Sequence, residues 1–129
     1  IDAARLENNP SNLTFHIEDV TQMTFDDGTF DAVTSMETFE HVDPDAYLKE
    51  ICRVLKPGGK LILSTPQSRM GLIPVNFAHM REYSLDETVG YCGRYFDVTK
   101  VIGIKAGRVI VPDDPIGANL MVVCTKSSS

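Results

Sequence analysis

The amino-acid sequence predicts an α/β domain: a partial doubly wound sheet, mostly parallel, with an antiparallel C-terminal edge strand. Three observations carry that expectation. Five short segments have strand character, at residues 13–17, 30–36, 60–65, 98–104 and 119–125. An amphipathic helical pattern separates the second from the third, which makes a strand–helix–strand crossover and hence a parallel pair. The chain, at 129 residues, has room for one domain with one core.

Residues 1–7 are compatible with the last turns of a helix, stopped by Asn8-Asn9-Pro10. Leu13-Thr14-Phe15-His16-Ile17 alternates apolar and polar side chains, the period of a strand, and makes His16 structural. It ends in Glu18-Asp19. Asp26-Asp27-Gly28 is a turn leading into Phe30-Asp31-Ala32-Val33-Thr34-Ser35-Met36, which is apolar or small apart from Asp31. Such a run suits a strand covered on both faces. Asp43 is then a good N-cap, with Pro44 at the first helical position, where a missing N–H costs nothing. Tyr47, Leu48, Ile51, Cys52 and Leu55 form one apolar stripe, with Lys49, Glu50, Arg53 and Lys56 opposite. Pro57-Gly58-Gly59 stops the helix and turns the chain into the buried-type strand 60–65.

From Gln67 to Tyr83 no period holds, and a long functional loop is expected. Ser84-Leu85-Asp86-Glu87 is a capping box that should open a helix ending at Gly93. A strand at 98–104, a loop at Pro112-Asp113-Asp114-Pro115 and a final strand at 119–125 complete the reading, the last pair being antiparallel.

Composition excludes several classes. No apolar run approaches the roughly 20 residues of a membrane-spanning helix. With 12 Lys+Arg against 18 Asp+Glu and no basic cluster, the net charge of −6 argues against gripping nucleic acid through its phosphates. Cys52, Cys92 and Cys124 are odd in number and widely spaced, which gives neither a disulfide framework nor a zinc ribbon. A reducing, cytoplasmic setting is expected. The N-terminus shows no signal peptide.

Three stretches together carry a resemblance: Asp19 with Phe25-Asp26-Asp27-Gly28-Thr29-Phe30-Asp31, then Glu37-Thr38-Phe39-Glu40-His41-Val42, then Leu55-Lys56-Pro57-Gly58-Gly59-Lys60. In this order and spacing they resemble the class I S-adenosylmethionine-dependent methyltransferases, specifically the type 11 methyltransferase-domain family. The resemblance covers residues 12–66 well and the remainder more loosely. It implies a Rossmann-like sheet of order 3-2-1-4-5-7-6, in which segment 13–17 is the third strand, 30–36 the fourth and 60–65 the fifth. The family's glycine-rich cofactor loop has no counterpart here. Residues 1–129 are therefore expected to form a single partial domain that lacks the first two strands and leaves a long edge beside the 30–36 strand, which invites homodimerisation or strand exchange.

The resemblance also assigns roles. Asp19 would accept a hydrogen bond from the adenine amine of S-adenosylmethionine, with Val20 packed on the ring; the bland alternative for Asp19 is a solvated turn. Met36, Glu37 and His41 would line the cofactor pocket. Glu37, Glu40 and His41, at i, i+3 and i+4, could converge on one side of a helical turn. The resemblance to ubiquinone-pathway and small-RNA methyltransferases implies a divalent metal there, completed by His79; the alternative is a pocket wall without metal. His41 is also the candidate general base, as the residue type suited to accept a proton near neutral pH. Thr65, Pro66 and Gln67 are candidates for the acceptor side, and Arg81 and Tyr83 for a lid. The function implied is methyl transfer to a small-molecule nucleophile. Its alternative is a non-catalytic, methyltransferase-like fragment that folds by self-association.

Overall fold

A computed structural model describes residues 11–66, 73–74, 81–105, 108–109 and 119–128. Its main sheet is built from β1 (Phe30–Met36), β2 (Leu55–Pro66), β5 (Asp97–Lys105), β6 (Arg108–Val109) and β7 (Asn119–Thr125), in the order β1-β2-β7-β5-β6. A separate antiparallel pair joins β3 (Ile73–Pro74) to β4 (Arg81–Glu82). The helices are α1 (Pro44–Val54) and α2 (Leu85–Gly93), with a single 3-10 turn at Phe39–His41. The expected helix at 1–7 and the loop at 112–115 lie outside the described residues.

β1 and β2 are parallel, as the crossover requires, and β7 runs antiparallel to both of its neighbours. β1, β2 and β5 therefore share one direction. The reversed strand is the C-terminal one, as expected, but it lies inside the sheet, between β2 and β5, and the rim on that side is the β5–β6 hairpin. The order β1-β2-β7-β5 matches 4-5-7-6 of the order that the resemblance implies.

One expected strand is not there. Residues 13–17 form no strand, and Leu13 and Ile17 are 40% and 75% exposed. Alternating side chains suit a pleat, but a strand exists only where a neighbour takes its backbone hydrogen bonds. Among the described residues no strand pairs with this segment, and β1 stands at the sheet's rim. Residues 18–27 are instead fastened to α1: the Met23 N–H donates to Glu50 Oε1 (2.9 Å), and Arg53 donates to Met23 O (3.0 Å) and Asp27 Oδ1 (2.8 Å).

Helix α1 forms where its signals sit. Asp43 accepts from the Ala46 N–H at 2.8 Å, and Pro44 opens the helix. Its last turn is finished by a residue from the far end of the chain: Lys126 Nζ donates to Cys52 O and Leu55 O, both at 2.7 Å. A cation at the carbonyl end of a helix is favourable on both hydrogen-bond and dipole grounds. Asp43→Ala is expected to cost about 1 kcal/mol in a denaturant titration, the typical loss for an N-cap.

Tyr47, Leu48 and Ile51 of α1 and Cys92 of α2 pack with Leu61, Leu63, Leu120, Val122 and Cys124 in one buried cluster. Both described helices thus cover the same face of the sheet. For the same reason β1 is buried at Ser35 but not at Thr34 or Met36, rather than covered on both faces. Cys92 and Cys124 are buried, and Cys52 donates to Tyr95 O at 3.6 Å; none of the three is disulfide-bonded.

Candidate functional site

Because β1 and β2 are parallel, their carboxyl ends share one edge, the place where open α/β sheets bind ligands. Met36 closes β1 opposite Ser64, whose hydroxyl meets Met36 Sδ at 3.3 Å. Glu37 comes next, with φ of +51°, the only non-glycine residue with positive φ among the described residues. A left-handed backbone costs an L-residue on the order of 1 kcal/mol, so something must hold it. Two bonds do. The Glu37 N–H donates to Ser64 O at 2.9 Å, and Glu37 Oε1 accepts from Asn119 Nδ2. Asn119 begins β7 opposite Pro66. The ends of β1 and β2 and the start of β7 therefore meet at Glu37.

The following turn is 3-10, with about three residues per turn, so adjacent side chains point roughly 120° apart. Phe39 and Glu40 are buried and His41 is exposed. Glu40 Oε1 has no hydrogen-bond partner among the described residues. Burial is the main reason its carboxyl is pushed up to about 7; the hydrogen bond with Glu37 and that group's charge add to it, and His41 pulls the other way. Burial also raises the Tyr47 phenol, whose hydroxyl donates to Ser35 Oγ at 2.7 Å. Thr65, at the end of β2, is buried with its Oγ1 unpartnered among the described residues.

The candidate residues separate into two groups. Met36, Glu37, Glu40 and Thr65 cluster at the carboxyl edge, with Met36 47% exposed and available to a ligand. His41 is next in the chain but faces solvent. Asp19 is exposed, and its described bonds all fall on Oδ1, from the Thr21 N–H (2.9 Å) and Thr21 Oγ1 (2.6 Å), which hold its carboxyl below the usual range. Oδ2 is left for an amine donor. Val20 is half-buried against the core. No hydrogen bond or ion pair among the described residues joins Asp19 to the Glu37–His41 group.

The described residues contain no group of three or more His, Cys, Asp or Glu placed to hold an ion. Glu40 and Glu37 are hydrogen-bonded to each other, but the 3-10 turn buries Glu40 while His41 faces solvent. His79 and Gln67 lie outside the described residues. Tyr83 is not a lid: it is buried, with ring centroids 5.1 Å from Phe39 and 5.5 Å from Tyr91.

Sequence reasoning did not single out Asn119 or anticipate the burial of Glu40. For Glu40 no local signal existed, since adjacent side chains in such a turn point in different directions. For Asn119 there was none, since its partner is 82 residues away.

Residues 1–63 match the family model described as a methyltransferase domain. Two ubiquinone biosynthesis O-methyltransferases are similar over shorter stretches. That of Xanthomonas oryzae pv. oryzae is 64% identical over 39 residues, covering 30% of this chain and 16% of that protein. That of Coxiella burnetii is 40% identical over 68 residues, covering 50% of this chain and 29% of that protein. The matches thus span less than a third of these relatives' own length. Among solved structures, a SAM-dependent methyltransferase of Thermotoga maritima superposes with a TM-score of 0.72 at 22% identity, covering 84% of this chain and 61% of that one.

Proposed function

We propose, for a chain that by family match and fold carries a class I S-adenosylmethionine-dependent methyltransferase domain, that the protein moves the sulfonium methyl group of that cofactor to a hydroxyl of a small molecule. The cofactor, when bound, supplies the electrophilic methyl carbon. The chain's own residues supply place and orientation, and His41 is the group to take the proton that the hydroxyl loses as the carbon–oxygen bond forms and the carbon–sulfur bond breaks, releasing S-adenosylhomocysteine. Asp19 Oδ2 is available to the adenine amine and Val20 to the ring. Met36, Glu37 and the exposed imidazole of His41 form the wall toward the methyl acceptor. The hydroxyl as acceptor is supported by the O-methyltransferase names of the similar proteins. A cytoplasmic setting belongs to the same reading; neither nucleic acid nor membrane does, and no helix among the described residues is long and apolar enough to cross a membrane.

The observation that carries this reading is Glu37: a residue with a left-handed backbone at the ligand-binding edge of the sheet, tied by its N–H to Ser64 O of β2 and by its carboxylate to Asn119 of β7. Calorimetric titration with S-adenosylhomocysteine tests it. A Kd tighter than roughly 100 μM, about 5.5 kcal/mol, is expected. No heat of binding at millimolar ligand would contradict it.

A second reading is a non-catalytic module that assembles as a homodimer through the β1 rim. It is favoured by the rim position of β1 and the exposed Leu13 and Ile17. Sedimentation of a stable dimer with no affinity for S-adenosylhomocysteine would support it over the first.

A further inference from the structure

Among the side chains at the carboxyl edge, Asn119 comes from the strand most distant in sequence. It is the first residue of β7, and its backbone pairs with Pro66 on one side and Ile104 on the other. Strand pairing fixes where its Cα sits; its side chain is then free to serve the edge. It spends that freedom on Glu37, donating Nδ2–H to Oε1 across 82 residues of sequence.

Glu37 needs such a partner. Its left-handed backbone is costly for a residue with a Cβ, and glycine or asparagine would be the natural occupant. The described bonds that tie it to other strands are the backbone bond to Ser64 and the side-chain bond to Asn119, beside a side-chain bond with Glu40 in the next turn. A neutral donor on an ionised carboxylate makes a charge-assisted bond, stronger than one between neutral groups. Asn is also the right donor chemically: Asp would repel Glu37, and Lys or Arg would cancel its charge.

We propose that Asn119 is a positioning residue, which locks the Glu37 carboxylate and its strained backbone into the orientation in which that carboxylate meets a ligand at the carboxyl edge. The proposal rests on the carboxyl-edge reading above and adds a residue from the C-terminal strand to the site. It makes ligand affinity depend on a side chain distant in sequence from every motif that marks the family.

Two measurements on Asn119→Ala, Asn119→Asp, Glu37→Ala and the Asn119→Ala/Glu37→Ala double variant test it. The first needs no ligand: exchange of the Glu37 amide hydrogen should quicken at least tenfold in Asn119→Ala, while the Val33 and Leu61 amides keep their protection. Unchanged Glu37 exchange would overturn the proposal whether or not the protein binds cofactor product. The second is affinity for S-adenosylhomocysteine. Asn119→Ala should weaken it about tenfold and Asn119→Asp more, whereas in the Glu37→Ala background removing Asn119 should change nothing further. Equal losses in both backgrounds would show that Asn119 acts independently of Glu37 and would overturn it. A wild-type protein that fails to bind would instead contradict the carboxyl-edge reading, leaving the exchange result to decide on the positioning role.

Discussion

Glu40→Gln is expected to make the protein more stable at pH 8 and to remove much of the fall in stability between pH 5 and pH 8. In the folded state this carboxyl titrates at about 7, against an ordinary 4.5. Between those values the folded protein holds a proton that the unfolded chain has released, so stability decreases as pH rises. Glu40's contribution is complete below about pH 4.5 and is lost as the pH passes 7. The displacement corresponds to roughly 3 kcal/mol, of which about 2 kcal/mol is a prudent expectation for one site. A glutamine keeps the shape, is neutral at every pH and has no proton to lose. The carboxyls of Glu18, Asp19, Asp45 and Glu50 are shifted the opposite way, by hydrogen bonds from Thr24, Thr21, Arg94 and Arg53 respectively. Their effects fall in the acid range, below the window in question. Urea titrations of both proteins from pH 5 to pH 8 give the comparison, and parallel pH profiles would show that Glu40 is not the group responsible.

The second large effect is at the glycine pair near the start of β2, where the register with β1 is irregular. Gly59→Ala should cost about 3 kcal/mol, and Gly58→Ala appreciably less. The two glycines are required for different reasons. Gly58 has φ of +79° but open space around the position of a side chain, so alanine there meets only backbone strain of about 1 kcal/mol. At Gly59 a Cβ would lie 2.7 Å from Lys56 O and 3.0 Å from Asp31 O. Both are main-chain atoms. Neither can swing aside, because the β1–β2 pairing and the bonds joining Gly58 N–H to Lys126 O (2.9 Å) and Lys126 N–H to Gly59 O (2.8 Å) hold this stretch in place. Overpacking against a fixed backbone must be relieved by parting the strands. Unfolding midpoints in which Gly58→Ala is the more damaging change would refute this assignment.

These two positions mark how far the sequence could be read. Pro57-Gly58-Gly59 marks the end of the helix, though it lies inside β2 rather than before it, and the Asp43-Pro44 start and the capping box at Ser84 stand where their local signals put them. The two caps are governed by interactions within a few residues, and so are written locally. Residues 13–17 had an equally good local pattern and form no strand, because a strand needs a second chain segment to bond with. The pentad from Glu37 to His41 was legible as chemistry but not as geometry. Whether its acids and imidazole converge depends on the hand of the backbone at Glu37 and on the pitch of the next turn, neither of which the residue types declare. Lys126 on the end of α1 and Asn119 on Glu37 are tertiary contacts, and nothing near either residue foretells its partner.

The most direct measurement is an amide-resolved spectrum of the nitrogen-15-labelled protein, recorded with and without S-adenosylhomocysteine. The expected result is that shifts concentrate at Asp19 and Val20 and along Met36 to His41, two groups far apart in sequence and joined by one ligand. Shifts confined to other surfaces, or a spectrum indifferent to the ligand at millimolar concentration, would contradict the assignment of a methyl-donor site to this edge of the sheet.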